Sequence, residues 1–307
     1  MTLVVIRRAL LAAGFFLLVG AAPAGTTQIV RAQAWTAPGA SLAHDLTHAP
    51  GECVARRSIE VEVGRGLFRS PGLLGGPAAR AGLSCQACHS NGRVNDKFFL
   101  AELTDRVGAA DATSEWASKV RGDGVMNPRD IPDLVGVGDR ATLGQARDPS
   151  LEHFVLGVIS EEFQGAPPPD EALNSLIAYL RALRDDACAS AESQITLALF
   201  ADDVRRTVSA AEASDPPTAH LLLFAAQDAV GRIVERLPRR RFGRERRGFE
   251  ALARELGAVR SGQNTPLTLG TVLPGWRARF DANVAGVARR EDETYFNEET
   301  LGAALDQ

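Results

Sequence analysis

The chain has 307 residues, with 34 basic and 38 acidic side chains and a net charge of −4. That mild acidity argues against a nucleic acid as the main partner, which would call for a basic face. The length accommodates two small domains or one with a large appendage. Strand signals are scarce and apolar residues recur mostly at helical spacing, so the predicted fold class is all-α.

At the N-terminus, Arg7 and Arg8 precede an apolar run from Ala9 to Ala22, and Ala32-Gln33-Ala34 forms a small-x-small site before Trp35. The run falls short of the about 20 residues that a bilayer span takes. Residues 1–34 are therefore expected to be a cleaved signal peptide and the protein periplasmic or otherwise exported, with an uncleaved N-terminal anchor as the alternative. No other stretch is long and apolar enough to span, so no transmembrane span is expected after cleavage. The remaining 273 residues hold 31 basic against 38 acidic side chains, a charge of −7. Residues 35–54, rich in Ala, Pro, His and Thr, read as a flexible lead-in.

Residues 55–188 form the first expected domain. Ile59, Val63 and Leu67 share one helical stripe, with Gly64 and Phe68 close to it. A glycine followed four residues later by an aromatic suits a tight helix crossing, since the backbone can approach where no Cβ intervenes. The expected partner follows Pro167-Pro168-Pro169, where Leu173, Leu176, Ile177, Leu180 and Leu183 make an apolar face with Tyr179 beside it.

Between these helices lies Cys85-Gln86-Ala87-Cys88-His89, the C-x-x-C-H attachment signature of c-type haem. Three residues apart on one turn, the two thiols face the same way and can add to the two vinyl groups of a haem, while His89 offers its imidazole to the iron. A structural zinc site would want a second close Cys/His pair. The other cysteines, Cys53 and Cys188, are remote from the motif and from each other. A thioredoxin-like motif would want a strand–helix setting that the flanks do not supply. The expected cofactor is one covalently bound haem c, with Cys85 and Cys88 attaching it and His89 as proximal iron ligand.

Gly64-Arg65-Gly66-Leu67-Phe68 and Ser84-Cys85-Gln86-Ala87-Cys88-His89 together resemble the haem-attachment segment of bacterial di-haem cytochrome c peroxidases and their methylamine-utilisation relatives. Arg129-Asp130-Ile131-Pro132-Asp133-Leu134, followed by a helix and the Leu176–Leu183 segment, is similar to the end of one such domain. The resemblance covers roughly residues 55–185 and implies a mono-haem cytochrome c domain like one half of that family. The family's peroxidase mechanism uses two haems, whereas this chain has one C-x-x-C-H.

A Met or His sixth ligand would close the iron site and suit electron transfer, and an open position would admit peroxide or another small ligand. Met126, the one methionine beyond residue 34, sits in the loop Gly122-Asp123-Gly124-Val125-Met126-Asn127-Pro128. It is either that distal ligand or a gap-filling residue. His153 points away from the apolar face of Leu151, Phe154, Val155, Val158 and Ile159 and is expected in solvent. His44 and His48 lie in the lead-in, and His220 in a later helix. Arg65, Arg69, Arg80 and Arg93 are candidates to pair with haem propionates. Cys53 and Cys188 bracket the domain, and in an exported protein leftover cysteines usually pair. They sit 11 residues before Gly64 and 9 after Tyr179, so a bridge requires the chain ends to fold back; both outcomes stay open.

Residues 189–307 read as a helical domain of three or four helices. Leu197, Phe200, Val204 and Val208 mark one. Asp215-Pro216 is a helix start leading into Leu221–Leu237 and ending at Pro238, and Phe249, Leu252, Leu256 and Val259 mark a third. The basic run from Arg239 to Arg247 is either a solvated helix end or a dock for an acidic partner. The expected architecture is a cytochrome c-like haem domain followed by a C-terminal helical bundle. The expected function is an exported electron carrier with an unidentified redox partner protein, and the alternative is a haem peroxidase-like enzyme with an open or displaceable sixth position.

Overall fold

Helix propensity and apolar spacing are realised over most of the chain. The computed structural model describes residues 28–144, 146–147, 150–188, 192–262 and 266–306. It is predominantly helical: α1 (Leu42–Thr47), α2 (Ile59–Phe68), α3 (Pro71–Leu74), α4 (Gly76–Arg80), α5 (Cys85–Cys88), α6 (Leu151–Gly157), α7 (Asp170–Ala182), α8 (Leu197–Glu212), α9 (Pro216–Glu235), α10 (Gly243–Ser261), α11 (Pro266–Ala288) and α12 (Glu298–Leu305). The all-α expectation omits three short antiparallel ladders: β1 (His48–Pro50) with β6 (Glu192–Gln194), β2 (Ala109–Ala110) with β3 (Arg129–Asp130), and β4 (Thr142–Leu143) with β5 (Ala146–Arg147). Two or three residues per strand are too few to leave a periodicity in the sequence. Among the described residues no helix is long and apolar enough to cross a membrane.

The crossing of α2 and α7 forms as the glycine–aromatic spacing predicts. A Cβ built on Gly64 would lie 1.9 Å from the Ser175 carbonyl oxygen and 2.8 Å from Cβ of Tyr179, so only glycine lets the backbones come this close. The Phe68 and Tyr179 rings close the crossing at 5.1 Å between centroids. Ser58 caps α2 by accepting from the Val61 amide. Ile59, expected in the buried stripe, is 54 % exposed; it stands at the first helical position, on the rim of a cavity between α2 and α7.

The opposite side of α2 is equally close-packed. A Cβ on Gly66 would meet Leu222 at 2.9 Å and Thr207 at 3.3 Å, in α9 and α8. One hydrophobic core thus runs from Val61, Leu67 and Phe68 through Leu176 and Tyr179 into Val204, Leu222, Phe249 and Trp276, across the position 189 where the sequence changes character. Beyond it α8 packs on α9, α9 on α10, α10 on α11, and α11 back on α8. Asp215 caps α9 through the Thr218 amide with proline in the first turn, as the sequence predicts. Sequence spacing did not reveal α11, whose run is interrupted by Pro274 and by Gly270 and Gly275; burial of Leu269, Leu273, Trp276 and Phe280 holds it. In the basic run, Arg246 donates to the Val234 and Leu237 carbonyls at the end of α9, which suits a cation at a helix C-terminus.

The segment around the expected cleavage site is packed against the fold, and the lead-in carries regular structure. Arg7, Arg8 and the Ala9–Ala22 run lie outside the described residues, but residues 28–34 are built into the fold. Val30 is buried beside Leu46 and Leu301, the Arg31 amide donates to Glu235 at 2.8 Å, and the Arg31 guanidinium pairs with Asp228 and Glu235. Cleavage after Ala34 would strip these partners away; a small-x-small pattern is local and carries no information about such anchoring. Nor is the 35–54 segment a structureless lead-in, because it contributes α1 and β1, and β1 pairs with β6 in the register His48–Gln194. Cys53 and Cys188 are joined in a disulfide. The chain does fold back: α2 starts after Cys53 and α7 ends before Cys188, and the flanks pair through Arg184 N to Cys53 O at 2.8 Å and Ala55 N to Ala182 O at 2.9 Å.

Where α2 meets α8, Arg65 and Arg69 are buried, at 8 % and 5 % exposure. Glu52 accepts from Arg65 Nε at 2.9 Å, from Arg69 Nη2 at 2.9 Å and from the Tyr179 hydroxyl at 2.9 Å. Asp203 of α8 pairs with Arg65, with Arg69 at 3.5 Å and with Arg232 of α9 at 3.0 Å. Burial alone would raise both carboxyl pKa values. The arginines outweigh it, holding Glu52 well below the usual carboxylate range and Asp203 at about 2.

Two predictions follow from these contacts. Gly64→Ala should destabilise by about 3 kcal/mol, the cost of overpacking a close crossing, despite alanine's better helix propensity, and a lowered urea midpoint will register it. Both buried carboxyls are depressed in the folded state, so their stabilisation is complete above their unfolded pKa values near 4 and drains away as pH falls toward about 2. Glu52→Gln should cost on the order of 3 kcal/mol at neutral pH and flatten that acid limb in unfolding titrations.

Candidate haem-attachment site

The C-x-x-C segment forms a single turn, α5, because Ser84 enters it extended and the His89 amide closes it on the Cys85 carbonyl at 2.8 Å. Cys85 and Cys88 are free thiols, half-buried. Both pack on an apolar cluster of Trp35, Leu74, Leu83, Ala87, Phe98 and Leu103, and Cys85 also touches the main core. Burial pushes both thiols up to about 12. That is the opposite of a redox-active pair, whose attacking thiolate needs a depressed pKa.

His89 stands half-buried at the end of the turn, its Nδ1 3.0 Å from the Pro132 carbonyl oxygen. A carbonyl can only accept, so Nδ1 carries the proton and Nε2 keeps its lone pair. Burial pushes the imidazole down to about 4, against the pull of Pro132 and Asp133, so it is neutral at physiological pH, the form in which imidazole ligates a metal. A backbone carbonyl on the far ring nitrogen also fixes the ring's orientation.

Segment 129–134 is strapped along the motif. Ile131 N donates to Gly108 O at 2.9 Å, Leu134 N to Gly92 O at 2.9 Å, and Asp133 pairs with Arg93 at 2.8 Å. These backbone bonds hold the Pro132 carbonyl against His89. Below the motif, Asn91 has a φ of 53°. Its Oδ1 accepts from Arg69 at 2.8 Å and from Gln86 at 3.1 Å, and its Nδ2 donates to the Pro50 carbonyl at 2.7 Å. The turn after the haem motif is thereby tied to the buried ion network. Sequence reasoning missed Asn91; asparagine's tolerance of left-handed backbone was the one available signal.

The structure brings Cys85, Cys88 and His89 together with Pro132. Met126 is 49 % exposed and belongs to neither apolar cluster around the cysteines; its loop is anchored instead by the Asn127 amide on buried Asp111 at 3.0 Å. His153 is exposed, as expected, and so is His220. His44 and His48 face Glu298. Of the four candidate propionate partners, Arg65 and Arg69 are committed to Glu52 and Asp203, and Arg93 to Asp133. Arg80 is exposed.

Comparison with protein-family models, with curated proteins and with solved structures finds no match to this chain.

Asn91→Ala should cost about 2–3 kcal/mol, since it removes bonds worth about 1 kcal/mol each and leaves alanine in a left-handed conformation. Asn91→Gly keeps the backbone unstrained and should cost less, and denaturant midpoints of the two variants will separate the contributions.

Proposed function

We propose that this chain is an exported c-type cytochrome carrying one covalently attached haem, held by thioethers from Cys85 and Cys88 with His89 as proximal iron ligand. The observation that carries the reading is the His89–Pro132 contact: a neutral imidazole, its far nitrogen already fixed, beside two unpaired thiols on one turn. A haem bound there would supply one-electron redox chemistry through its iron. The chain's own part is to position the imidazole through segment 129–134, to shield the thiols in an apolar wall, and to brace the turn through Asn91. The architecture is then a cytochrome c-like domain braced by a C-terminal helical bundle, akin to one half of the di-haem peroxidase family.

The Cys53–Cys188 disulfide supports export, since such bonds persist in oxidising compartments.

Met126 divides two readings of the sixth position. Val107, Val120, Val125 and Met126 are all exposed large apolar residues within one segment after the motif. A macrocycle on the motif would need such an apolar cover, which supports a closed site and an electron carrier. The exposure of Met126 and its absence from the clusters around the cysteines favour the second reading, a peroxidase-like site open to small ligands.

Haem staining after denaturing electrophoresis should show haem migrating with the wild-type chain and absent from the Cys85→Ala/Cys88→Ala variant; an unstained wild-type band overturns the haem reading. For the carrier, the oxidised protein should show a far-red sulfur-to-iron band that Met126→Ala removes, opening the site to carbon monoxide and peroxide. A wild type that already binds both, unchanged by the substitution, selects the peroxidase-like site.

A further inference from the structure

Beside the turn that follows the C-x-x-C-H motif, α1, β1 and α12 bring two histidines and a carboxylate together. We propose that His44, His48 and Glu298 form a binding site for a divalent transition-metal ion of the zinc class, with Glu192 as an outer partner. His44 Nδ1 lies 3.3 Å from Glu298 Oε2, and His48 Nδ1 lies 3.7 Å from the same oxygen. One ligand atom from each of the three residues falls within 4.8 Å of the others. A tetrahedral ion with bonds of about 2.0–2.1 Å needs its ligand atoms about 3.3 Å apart, the edge of the tetrahedron. The two carboxylate–imidazole spacings already approach that edge.

The arrangement has the two layers a metal site requires. His44 turns Nδ1 to Glu298 and Nε2 to Glu192 Oε2 at 3.6 Å, so a carboxylate faces the ring nitrogen that would not ligate. Such an outer carboxylate fixes the ring and raises its basicity as a ligand. The His44 and His48 rings stack with centroids 4.0 Å apart, so one ring must turn out of the stack for the in-plane lone pairs of both to meet at one ion. His48 Nδ1 also contacts Thr47 Oγ1 and the His44 carbonyl, at 3.2 and 3.3 Å, and gives up these contacts on binding. Two neutral imidazoles with two carboxylates balance a doubly charged cation. Bound there, the ion would staple α12 to α1 and to the β1–β6 ladder, fixing the end of the chain to its beginning.

The test is calorimetric titration of ZnCl₂ into untagged, EDTA-treated mature protein, with thermal melting in parallel. One equivalent should bind and raise the melting temperature. His44→Ala/His48→Ala should weaken binding by roughly tenfold or more and erase the melting shift, and Glu298→Gln should weaken it in the same direction. His153→Ala, which alters an exposed histidine elsewhere, should bind zinc as the wild type does. Copper(II) in place of zinc should show hyperfine coupling to two imidazole nitrogens in wild-type protein, a readout independent of how well the variants fold. The proposal is overturned by wild-type protein that shows no saturable zinc binding below millimolar concentration, by a double histidine variant that binds as tightly as wild type, or by copper spectra lacking the two nitrogens.

Discussion

Two arginines one turn apart on α2, Arg65 and Arg69, are buried between helices, and the rest of the structure is arranged to neutralise them. Desolvating a guanidinium costs several kcal/mol unless its partners are complete. Here the partners come from opposite directions in sequence: Glu52 from the segment before α2, and Asp203 from α8, which begins after the first domain's closing helix. Tyr179 of α7 adds its hydroxyl to Glu52. Three parts of the chain therefore meet around α2, and neither carboxylate can be withdrawn without leaving a buried charge behind.

That requirement explains the glycines as well as the charges. For Glu52, Asp203 and Tyr179 all to reach the same two guanidinium groups, α7 must lie against one side of α2 and α8 with α9 against the other. Gly64 and Gly66 are the positions where a side chain would hold those helices away. The same network reaches the motif through Arg69, Asn91 and Gln86, which ties α5 to the charge pairing in the core. The motif's other restraint, the strap over residues 129–134, combines backbone hydrogen bonds with the Arg93–Asp133 pair.

What was legible in the sequence was whatever depends on nearest neighbours or on regular spacing. The α2–α7 crossing followed from Gly64, Phe68 and Tyr179, the start of α9 from Asp215-Pro216, and the C-x-x-C-H turn from five consecutive residues. Long-range pairing escaped. Arg65 and Arg69 looked available to bind propionates because nothing local reveals that Glu52 and Asp203 occupy them. Residues 28–54 looked like leader and lead-in because Val30, Arg31 and His48 find their partners in α9, α12 and β6. The histidine–carboxylate cluster was invisible for the same reason, with about 250 residues between His44 and Glu298. Helix α11 escaped because Pro274 breaks its local signal while tertiary burial restores the helix.

The position of Asp203 also bears on what the C-terminal segment does. A separate docking module would be expected to have its own core and an interface of moderate, polar character. Here the core is continuous from α2 into α8, α9 and α10, and Arg232 of α9 shares Asp203 with Arg65 of α2. Residues 28–34 close the arrangement from the other side by pairing Arg31 with Asp228 and Glu235 of α9. If the proposed haem is carried on α5, the C-terminal helices are part of the scaffold that holds it, because they supply half of the wall behind α2 and one of its two counter-charges.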